Sequence, residues 1–96
     1  MSHVKNKICI RATVSGKVQG VFFRDNAQRK AQTLSLSGWI KNLDNGDVEL
    51  IACGERDPIM VLTDWLWQGP DLAEVSNVHW EEIPWEDHSA FSIKVG

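Results

Sequence analysis

The sequence has little of what membrane, metal-binding and nucleic-acid-binding proteins need. No apolar run exceeds four residues, as at Ile59–Leu62, whereas a membrane-spanning helix needs about 20. Cys9 and Cys53 are the two cysteines and lie far apart, whereas zinc ligands cluster at short spacings; His79 and His88 add no metal pattern. The net charge of −3 disfavours nucleic acid, because nucleic-acid-binding proteins usually have a basic face. We therefore expect no metal, no nucleic acid and no membrane as partners.

Length and composition favour one soluble domain. The 96 residues are 43% apolar and 24% charged, which is ordinary for a globular protein, and a chain of this size has too little interior for two cores. We expect a single domain over residues 1–96. Because no secretory signal opens the chain, we also expect a cytoplasmic protein. We expect a chain of this kind to be a monomer, but the sequence does not determine the oligomeric state.

The segment GKVQGVFFR, residues 16–24, is the most informative stretch that is present. Glycines allow consecutive backbone N–H groups to turn into one concavity, and an arginine can bind two oxygens of an anion at once. The segment also leads into a predicted helix, whose N-terminus favours negative charge. No Lys followed by Ser or Thr comes after the second glycine, so a nucleotide-binding loop is not indicated. The predicted anion cradle comprises Gly16, Lys17, Val18, Gln19, Gly20, Val21, Phe22 and Phe23, together with Arg24.

Hydrophobic periodicity predicts two helices and five strands. Alternation over residues 8–14 indicates a strand, and Phe23, Ala27, Ala31 and Leu34 form the apolar stripe of a helix. Residues 39–43 and 47–53 are predicted strands joined by a hairpin at Asn45 and Gly46. Asp57 is predicted to cap a second helix with Pro58 at its first position; its apolar stripe is Pro58, Val61, Leu62, Trp65 and Leu66, and Gly69 and Pro70 end it. Residues 75–83 and 91–95 are weaker strand predictions.

This order predicts a ferredoxin-like α+β fold, a split βαββαβ arrangement with an extra short C-terminal strand and two helices on one face of an antiparallel sheet. A right-handed crossover makes the second strand parallel to the first, so its end lies at the same sheet edge as the glycine loop. Asn42, at that end, shares the core-facing side with Ile40. A buried amide without partners costs about 1 to 3 kcal/mol. Asn42 therefore either caps the hairpin or faces a site beside Arg24, and its place by the loop favours the site.

The two halves of the chain differ in charge. Residues 1–43 contain eight Lys or Arg and one acidic residue, whereas residues 44–96 contain two and twelve. The basic half includes the glycine loop and suits a small anion. Alternatively, the halves interleave in one domain and their charges mix on its surface.

Two groups of residues together form a family signature. The first is Gly16, Val18–Val21, Phe23 and Arg24, and the second is Gly38, Trp39, Ile40, Asn42, Gly46 and Val48. With these residues the chain resembles the acylphosphatases over nearly its whole length. The one unusual neighbour is Asp25, whose negative charge is expected to weaken anion binding slightly.

The resemblance implies hydrolysis of small-molecule acyl phosphates to a carboxylate and inorganic phosphate, without metal, cofactor or phosphoenzyme. Arg24 and the loop would hold the phosphoryl group, and inorganic phosphate or another anion would bind there too. Asn42 would orient the attacking water, because an amide offers an acceptor and two donors. The substrate's own phosphoryl oxygen would take the proton.

Two other functions are compatible with the fold. An RNA-binding module would need stacking aromatics on the middle strands, and residues 8–14 and 47–53 have none. A non-catalytic anion-binding domain, similar to the acylphosphatase-like portion of hydrogenase maturation factors, normally lies in a much longer chain. The paired Arg24 and Asn42 favour the enzyme, and we interpret most of the five tryptophans as packing residues.

The cysteines lie on the predicted sheet face away from the helices. If residue 9 pairs with residue 53 on neighbouring antiparallel strands, residue 15 pairs with residue 47 near the loop. Cross-strand distances of about 4.5 to 5.5 Å are compatible with a disulfide between Cys9 and Cys53. A cytoplasmic protein normally keeps thiols reduced, so both redox states remain open at this point.

Overall fold

The computed structural model describes residues 6–95, and the remaining ends of the predicted domain lie outside the described residues. In chain order the elements are β1 (Lys7–Lys17), α1 (Phe23–Thr33), β2 (Ser37–Asn42), β3 (Val48–Glu55), α2 (Arg56–Gln68), β4 (Glu74–Ile83) and β5 (Phe91–Ile93). All seven elements were predicted, with ends that differ by up to three residues. The ferredoxin-like α+β fold is therefore confirmed.

The strands form one sheet in the order β4-β1-β3-β2-β5. Neighbouring strands are antiparallel except at one edge, where β5 pairs in parallel with β2. The sheet is thus mixed rather than wholly antiparallel as predicted. The reason is that the chain crosses the end of the sheet after β4 and returns beside β2 in the opposite direction to β4.

One layer of apolar side chains joins the helices to the sheet. Alternate residues of β1 (Ile8, Ile10, Ala12 and Val14) are buried against Phe23, Ala27 and Ala31 of α1 and against Ile59, Leu62 and Leu66 of α2. Both helices therefore cover the same face, as the period-two and period-four patterns predict. The opposite face has a smaller buried cluster of Cys9, Ile51 and Cys53, against which Trp39 and Ile83 pack.

The start of α2 was predicted wrongly. Glu55 is the residue before the helix and Arg56 is its first residue, so Pro58 occupies the third helical position instead of the first. A helix leaves its first N–H groups without internal partners, so proline is accommodated throughout the first turn. The amide of Arg56 instead donates to the carbonyl of Asn6 at 2.9 Å, which prolongs the strand pairing into the helix start.

The apolar stripe of α2 is also rotated from the predicted one. Val61 is 45% exposed, whereas Ile59 and Thr63 are buried. The buried stripe runs over Ile59, Leu62, Thr63 and Leu66, spaced as one face of a helix. The Thr63 hydroxyl is accommodated there because it donates to the carbonyl of Met60 at 2.8 Å.

The sheet order settles how the two charged halves of the chain are arranged. β1 and β2 come from the basic half, and each lies between strands of the acidic half. Arg11 and Glu49, for example, approach to 3.7 Å across neighbouring strands. The opposite charges of the two halves therefore mix on one surface.

Candidate active site

An open pocket of about 280 Å³ lies at the sheet edge where β1 and β2 end. Val18, Gly20, Phe22, Phe23, Arg24 and Asp25 line it from the connection between β1 and α1, and Asn42 lines it from the end of β2. The predicted approach of Asn42 to the glycine loop is thus present in the structure. The parallel direction of β1 and β2, set by their common antiparallel neighbour β3, brings these ends together.

The loop wall of the pocket consists largely of backbone. Gly20 has a φ of 74°, and a Cβ built there would meet nothing within 4 Å, so this position needs glycine for its conformation rather than for space. Phe22 adopts the left-handed conformation with φ 62° directly before α1. Left-handed phenylalanine is uncommon, and such backbone strain concentrates at functional sites.

The start of α1, which lines this pocket, has backbone N–H groups without partners among the described residues. The amide of Asn26, bonded to the carbonyl of Phe22 at 3.1 Å, is where helical hydrogen bonding begins. Within residues 6–95, the amides of residues 20–25 donate to no backbone carbonyl and no side chain. Unpaired amides at a helix start, together with the helix dipole, favour negative charge nearby.

Arg24 is the second residue of α1 and is half-buried. In the described part of the chain its guanidinium forms no salt bridge and no hydrogen bond. Its N–H donors are therefore available to oxygen atoms in the pocket, and the guanidinium geometry suits two oxygens of one anion.

Asn42 presents a buried oxygen without a donor. Its Oδ1 has no hydrogen-bond partner within the described residues. The hairpin does not use it, because the turn is closed by the Leu43 amide, which donates to the Asp47 carbonyl at 2.8 Å, and by the Asn45 side chain, which accepts from the Asp47 amide at 2.9 Å. Leaving a buried acceptor unpaired costs about 1 to 3 kcal/mol. The alternative that Asn42 caps the turn therefore finds no hydrogen bond in support within the described residues.

Gln19 holds the loop against the β2–β3 hairpin. Its Nε2 donates to the carbonyl oxygens of Leu43 and Asp47, each at 2.8 Å. Its side chain is thus engaged by the hairpin, and Gln19 does not line the pocket. Sequence reasoning placed this residue in the cradle and missed its connecting role, because a lone glutamine between glycines has no periodic signal.

Three other predicted cradle residues lie outside the pocket lining. Gly16 and Lys17 belong to β1 and pair with Val75 and Glu74 of β4. Val21 is buried in the main core. A Cβ on Gly16, whose φ is 120°, would collide with the carbonyl of Glu74 and lie 2.7 Å from the amide of Ser76. Gly16 therefore allows close approach of β1 to β4.

Asp25 adds a negative charge to the pocket. It is exposed and occupies the first turn of α1, where a carboxylate interacts favourably with the helix dipole. Its charge also opposes that of an incoming anion. No ion pair with Arg24 neutralises it in the described part of the chain.

The cysteines lie at the opposite end of β1 from this pocket. The predicted register is confirmed, because Cys9 pairs with Cys53 between β1 and β3. The two sulfurs are joined in a disulfide, and both residues are at most 1% exposed. Over residues 6–95 no group of three or more His, Cys, Asp or Glu side chains is placed to hold a metal ion. No helix in that range is long and apolar enough to cross a membrane.

Comparison with known proteins agrees with this arrangement. The family model described as Acylphosphatase matches residues 10–93. A curated acylphosphatase of Coxiella burnetii (strain Dugway 5J108-111) is 66% identical over 90 residues, which cover 94% of this chain and 95% of that protein. The chain belongs to the acylphosphatase family. The resemblance deduced from the two residue signatures is confirmed, and with it the family function, which is hydrolysis of acyl phosphates.

Solved structures of acylphosphatases share the fold over nearly their whole length. An acylphosphatase from Coxiella burnetii superposes with a TM-score of 0.90 at 64% identity and covers 93% of this chain and 94% of its own. The acylphosphatase from Bacillus subtilis gives a TM-score of 0.88 at 34% identity, with 91% and 98% covered. The order of strands and helices seen here is therefore that of the family.

Proposed function

We propose that this acylphosphatase binds the phosphoryl group with the amides of residues 20–25 and with Arg24, and that Asn42 orients the attacking water. The observation that carries the proposal is the single pocket shared by these groups. The pocket is lined by Gly20 and by residues 22–25, whose amides and Arg24 guanidinium are unpaired within residues 6–95, and by Asn42, whose Oδ1 is unpaired there as well.

Binding follows from charge and geometry. The phosphoryl group of an acyl phosphate carries its charge on three oxygens. These oxygens can accept hydrogen bonds from neighbouring backbone N–H groups and from a guanidinium that binds in a bidentate manner. Donors held in place before the reaction stabilise the charge that spreads over these oxygens in the transition state. Gln19 supports this preorganisation, because it fixes the loop relative to Asn42.

Asn42 is suited to hold the nucleophile. Its buried Oδ1 accepts a hydrogen bond from a water molecule, which leaves a lone pair of the water free to point at phosphorus. The water oxygen then forms a bond to phosphorus while the bond from phosphorus to the acyl oxygen breaks, and the carboxylate leaves with the electron pair. An amide cannot take up the proton, so the proton passes to a phosphoryl oxygen and the second product is inorganic phosphate.

No stronger base is required for this reaction. A carboxylate is a good leaving group, so positioning of the water and stabilisation of the phosphoryl charge supply most of the catalysis. None of the residues lining the pocket is Ser, Thr, Cys or His, and the one carboxylate there, Asp25, is exposed and carries a charge that opposes the phosphoryl group. We therefore propose direct attack by water, without a covalent intermediate on the protein.

The test separates binding from turnover in two variants. We expect Arg24→Ala to lose binding of both benzoyl phosphate and inorganic phosphate, because the charge clamp is removed. We expect Asn42→Ala to retain phosphate binding and to lose turnover by about 10² to 10³, the cost of one preorganised group. Hydrolysis of benzoyl phosphate in the presence of EDTA and phosphate titration by calorimetry measure the two effects.

Each outcome is informative. Folding of both variants is checked by circular dichroism and urea unfolding, with Trp67→Ser as a surface control. Equal loss of phosphate affinity in the two variants would contradict the proposed division of roles. Binding of phosphate by a folded wild-type protein that does not hydrolyse benzoyl phosphate would support a non-catalytic anion-binding domain instead.

We also propose that the enzyme acts as a cytoplasmic monomer on small acyl phosphates, without a nucleic-acid or membrane partner. The buried position of the Cys9–Cys53 disulfide is compatible with a reducing compartment, because thiol exchange requires access to the sulfurs. Light scattering of the purified protein and alkylation of thiols in rapidly quenched cells test the two statements.

A further inference from the structure

A second pocket of about 400 Å³ adjoins the candidate active site and shares Phe22 with it. It lies between the start of α1 and the turn that follows α2. The residues that line it include Phe22, Trp65, Gly69, Pro70, Asp71 and Leu72. The sequence offered no signal for this pocket, because its apolar side chains come from a loop, a helix end and a turn.

The wall between the two pockets is built from packed side chains. The rings of Phe23 and Trp65 lie 5.5 Å apart between centroids. Gly69 approaches the same phenylalanine so closely that a Cβ there would lie 3.0 Å from its Cε2 atom. Since Phe23 also lines the active-site pocket, the second pocket has a fixed position relative to the phosphoryl site.

The second pocket lies on the opposite side of the loop from Asn42. In the sheet, β1 has β3 and then β2 on one side and β4 on the other. Asn42 ends β2, whereas the turn containing Pro70 and Leu72 leads directly into β4. The glycine loop, which follows β1, is therefore flanked by Asn42 on one side and by this turn on the other.

This placement bears on the leaving group. In phosphoryl transfer the attacking and leaving oxygens lie roughly in line through phosphorus. Under the proposed function, water attacks from the side of Asn42. The acyl oxygen must then leave toward the opposite side, where the second pocket begins at Phe22.

The chemistry of the second pocket selects the kind of acyl group. Phe22 is 66% exposed and Leu72 is 62% exposed, so both present apolar surface that a ligand can cover. None of the residues lining the pocket is Lys or Arg, and Asp71 contributes a negative charge. An uncharged aromatic or branched aliphatic group fits these surroundings, whereas a group with a second carboxylate would be repelled.

We propose that this pocket binds the acyl group of the substrate and that Phe22 and Leu72 make the enzyme prefer acyl phosphates with an aromatic or branched apolar acyl group. The proposal rests on the proposed function, since the in-line direction is defined by Asn42 and the phosphoryl cradle. It adds two side chains that contact the acyl group: Leu72 lies outside the phosphoryl pocket, whereas Phe22 lines both pockets.

The experiment compares benzoyl phosphate with acetyl phosphate in single variants. Leu72→Ser lies in an exposed turn outside the phosphoryl cradle, and Phe22→Asn places a residue that tolerates positive φ at the left-handed position. We expect kcat/KM for benzoyl phosphate to fall about five- to tenfold in each variant, because apolar contact area is lost. Acetyl phosphate does not reach the pocket, so Leu72→Ser should leave its kcat/KM within about twofold.

A matched control and a non-reacting probe complete the test. Trp67→Ser removes an exposed apolar side chain on α2 that is 52% exposed and lines neither pocket. It should leave kcat/KM unchanged for both substrates. Calorimetric titration with benzylphosphonate and methylphosphonate reports binding without hydrolysis, and Leu72→Ser should weaken the binding of the benzyl compound only.

The outcomes distinguish this proposal from the proposed function. Suppose that wild-type protein hydrolyses both substrates and that Leu72→Ser changes kcat/KM equally for both, or for neither. The acyl-group pocket is then overturned while the proposed function stands. If the folded wild-type protein hydrolyses neither substrate, the function itself fails. If Leu72→Ser then weakens the binding of benzylphosphonate but not that of methylphosphonate, the apolar pocket is still supported.

Discussion

The side-chain amide of Gln19 donates a hydrogen bond to the carbonyl oxygen of Leu43 at 2.8 Å. A second bond of the same length reaches the carbonyl of Asp47. Leu43 directly follows Asn42, so one side chain connects the anion-binding loop to the hairpin that carries the proposed water-binding residue. The relative position of the two halves of the site thus depends on a residue outside the pocket lining.

Removal of this connection should cause a large loss of kcat and a modest loss in the free energy of unfolding. In Gln19→Ala we expect a loss of about 1 to 2 kcal/mol in the free energy of unfolding, because two hydrogen bonds are lost. We expect kcat to fall about ten- to hundredfold, because displacements of about 1 Å at a reacting centre carry large kinetic penalties. Urea unfolding and benzoyl phosphate kinetics measure both quantities.

Gln28 provides a matched control for that variant. Its Nε2 likewise donates to a backbone carbonyl, that of Phe91 at 3.0 Å, but it lies on α1 away from the pocket lining. Gln28→Ala loses one hydrogen bond instead of two, so it should cost about 0.5 to 1.5 kcal/mol in the free energy of unfolding and leave kcat near the wild-type value. A comparable fall of kcat in both variants would show that Gln19 has no special positioning role.

Gly16 and Gly20 should respond differently to alanine. Gly16→Ala places a Cβ against the backbone of Glu74 and Ser76, and we expect it to lower the free energy of unfolding by more than about 2 kcal/mol. At Gly20 space is available, so Gly20→Ala costs about 1 to 2 kcal/mol for its positive φ alone. Equal losses in urea unfolding would contradict the assignment of Gly16 to strand packing.

Asp25 should weaken anion binding. In Asp25→Asn we expect the dissociation constant of inorganic phosphate to fall about two- to fivefold at low ionic strength, because one opposing charge is removed from the pocket. The gain should shrink in high salt, which screens exposed charges. Calorimetric titration at two salt concentrations measures the effect.

Asp57 is the control for Asp25, because it occupies the first turn of α2. Asp57→Asn removes the same favourable interaction with a helix dipole without touching the pocket. Phosphate affinity should stay unchanged in this variant. A similar gain in Asp57→Asn would mean that only the net charge of the protein matters.

The disulfide should contribute to stability and not to catalysis. Cys9 and Cys53 are 44 residues apart, and closing a loop of this length stabilises a protein by about 3 to 4 kcal/mol through the unfolded chain. The double variant Cys9→Ala/Cys53→Ala should therefore have a lower melting temperature. At temperatures at which it is still folded, its kcat should equal that of the wild type. Two alkylatable thiols in denatured, non-reduced wild-type protein would show that the bridge is absent in solution.

Local patterns of the sequence were sufficient for most of the fold. Alternation over Ile8–Val14 and the four-residue spacing of Phe23, Ala27 and Ala31 correctly predicted a buried strand and a core-facing helix. The Asn45–Gly46 hairpin was also predicted correctly. These features depend on residues a few positions apart, so periodicity and turn chemistry are enough to find them.

The errors occurred where distant segments compete with local signals. Asp57 and Pro58 are good first-turn residues, yet α2 begins earlier because the amide of Arg56 pairs with Asn6, 50 residues upstream. Gly16 and Lys17 read as loop, but pairing with β4 extends β1 through both. No local pattern records hydrogen bonds between residues so far apart.

The sequence by itself determined which family and which chemistry to expect. Arg24, Asn42 and the glycine loop are recognisable because a positive charge, an amide and a backbone that accepts positive φ have distinct chemical uses, and topology rules bring them to one edge. The tertiary structure alone decided which loop residues line the pocket, that Gln19 connects loop and hairpin, and that Phe22 and Leu72 border a second pocket. These relations depend on the direction of each side chain and on close packing between distant segments, which residue types and spacing do not specify.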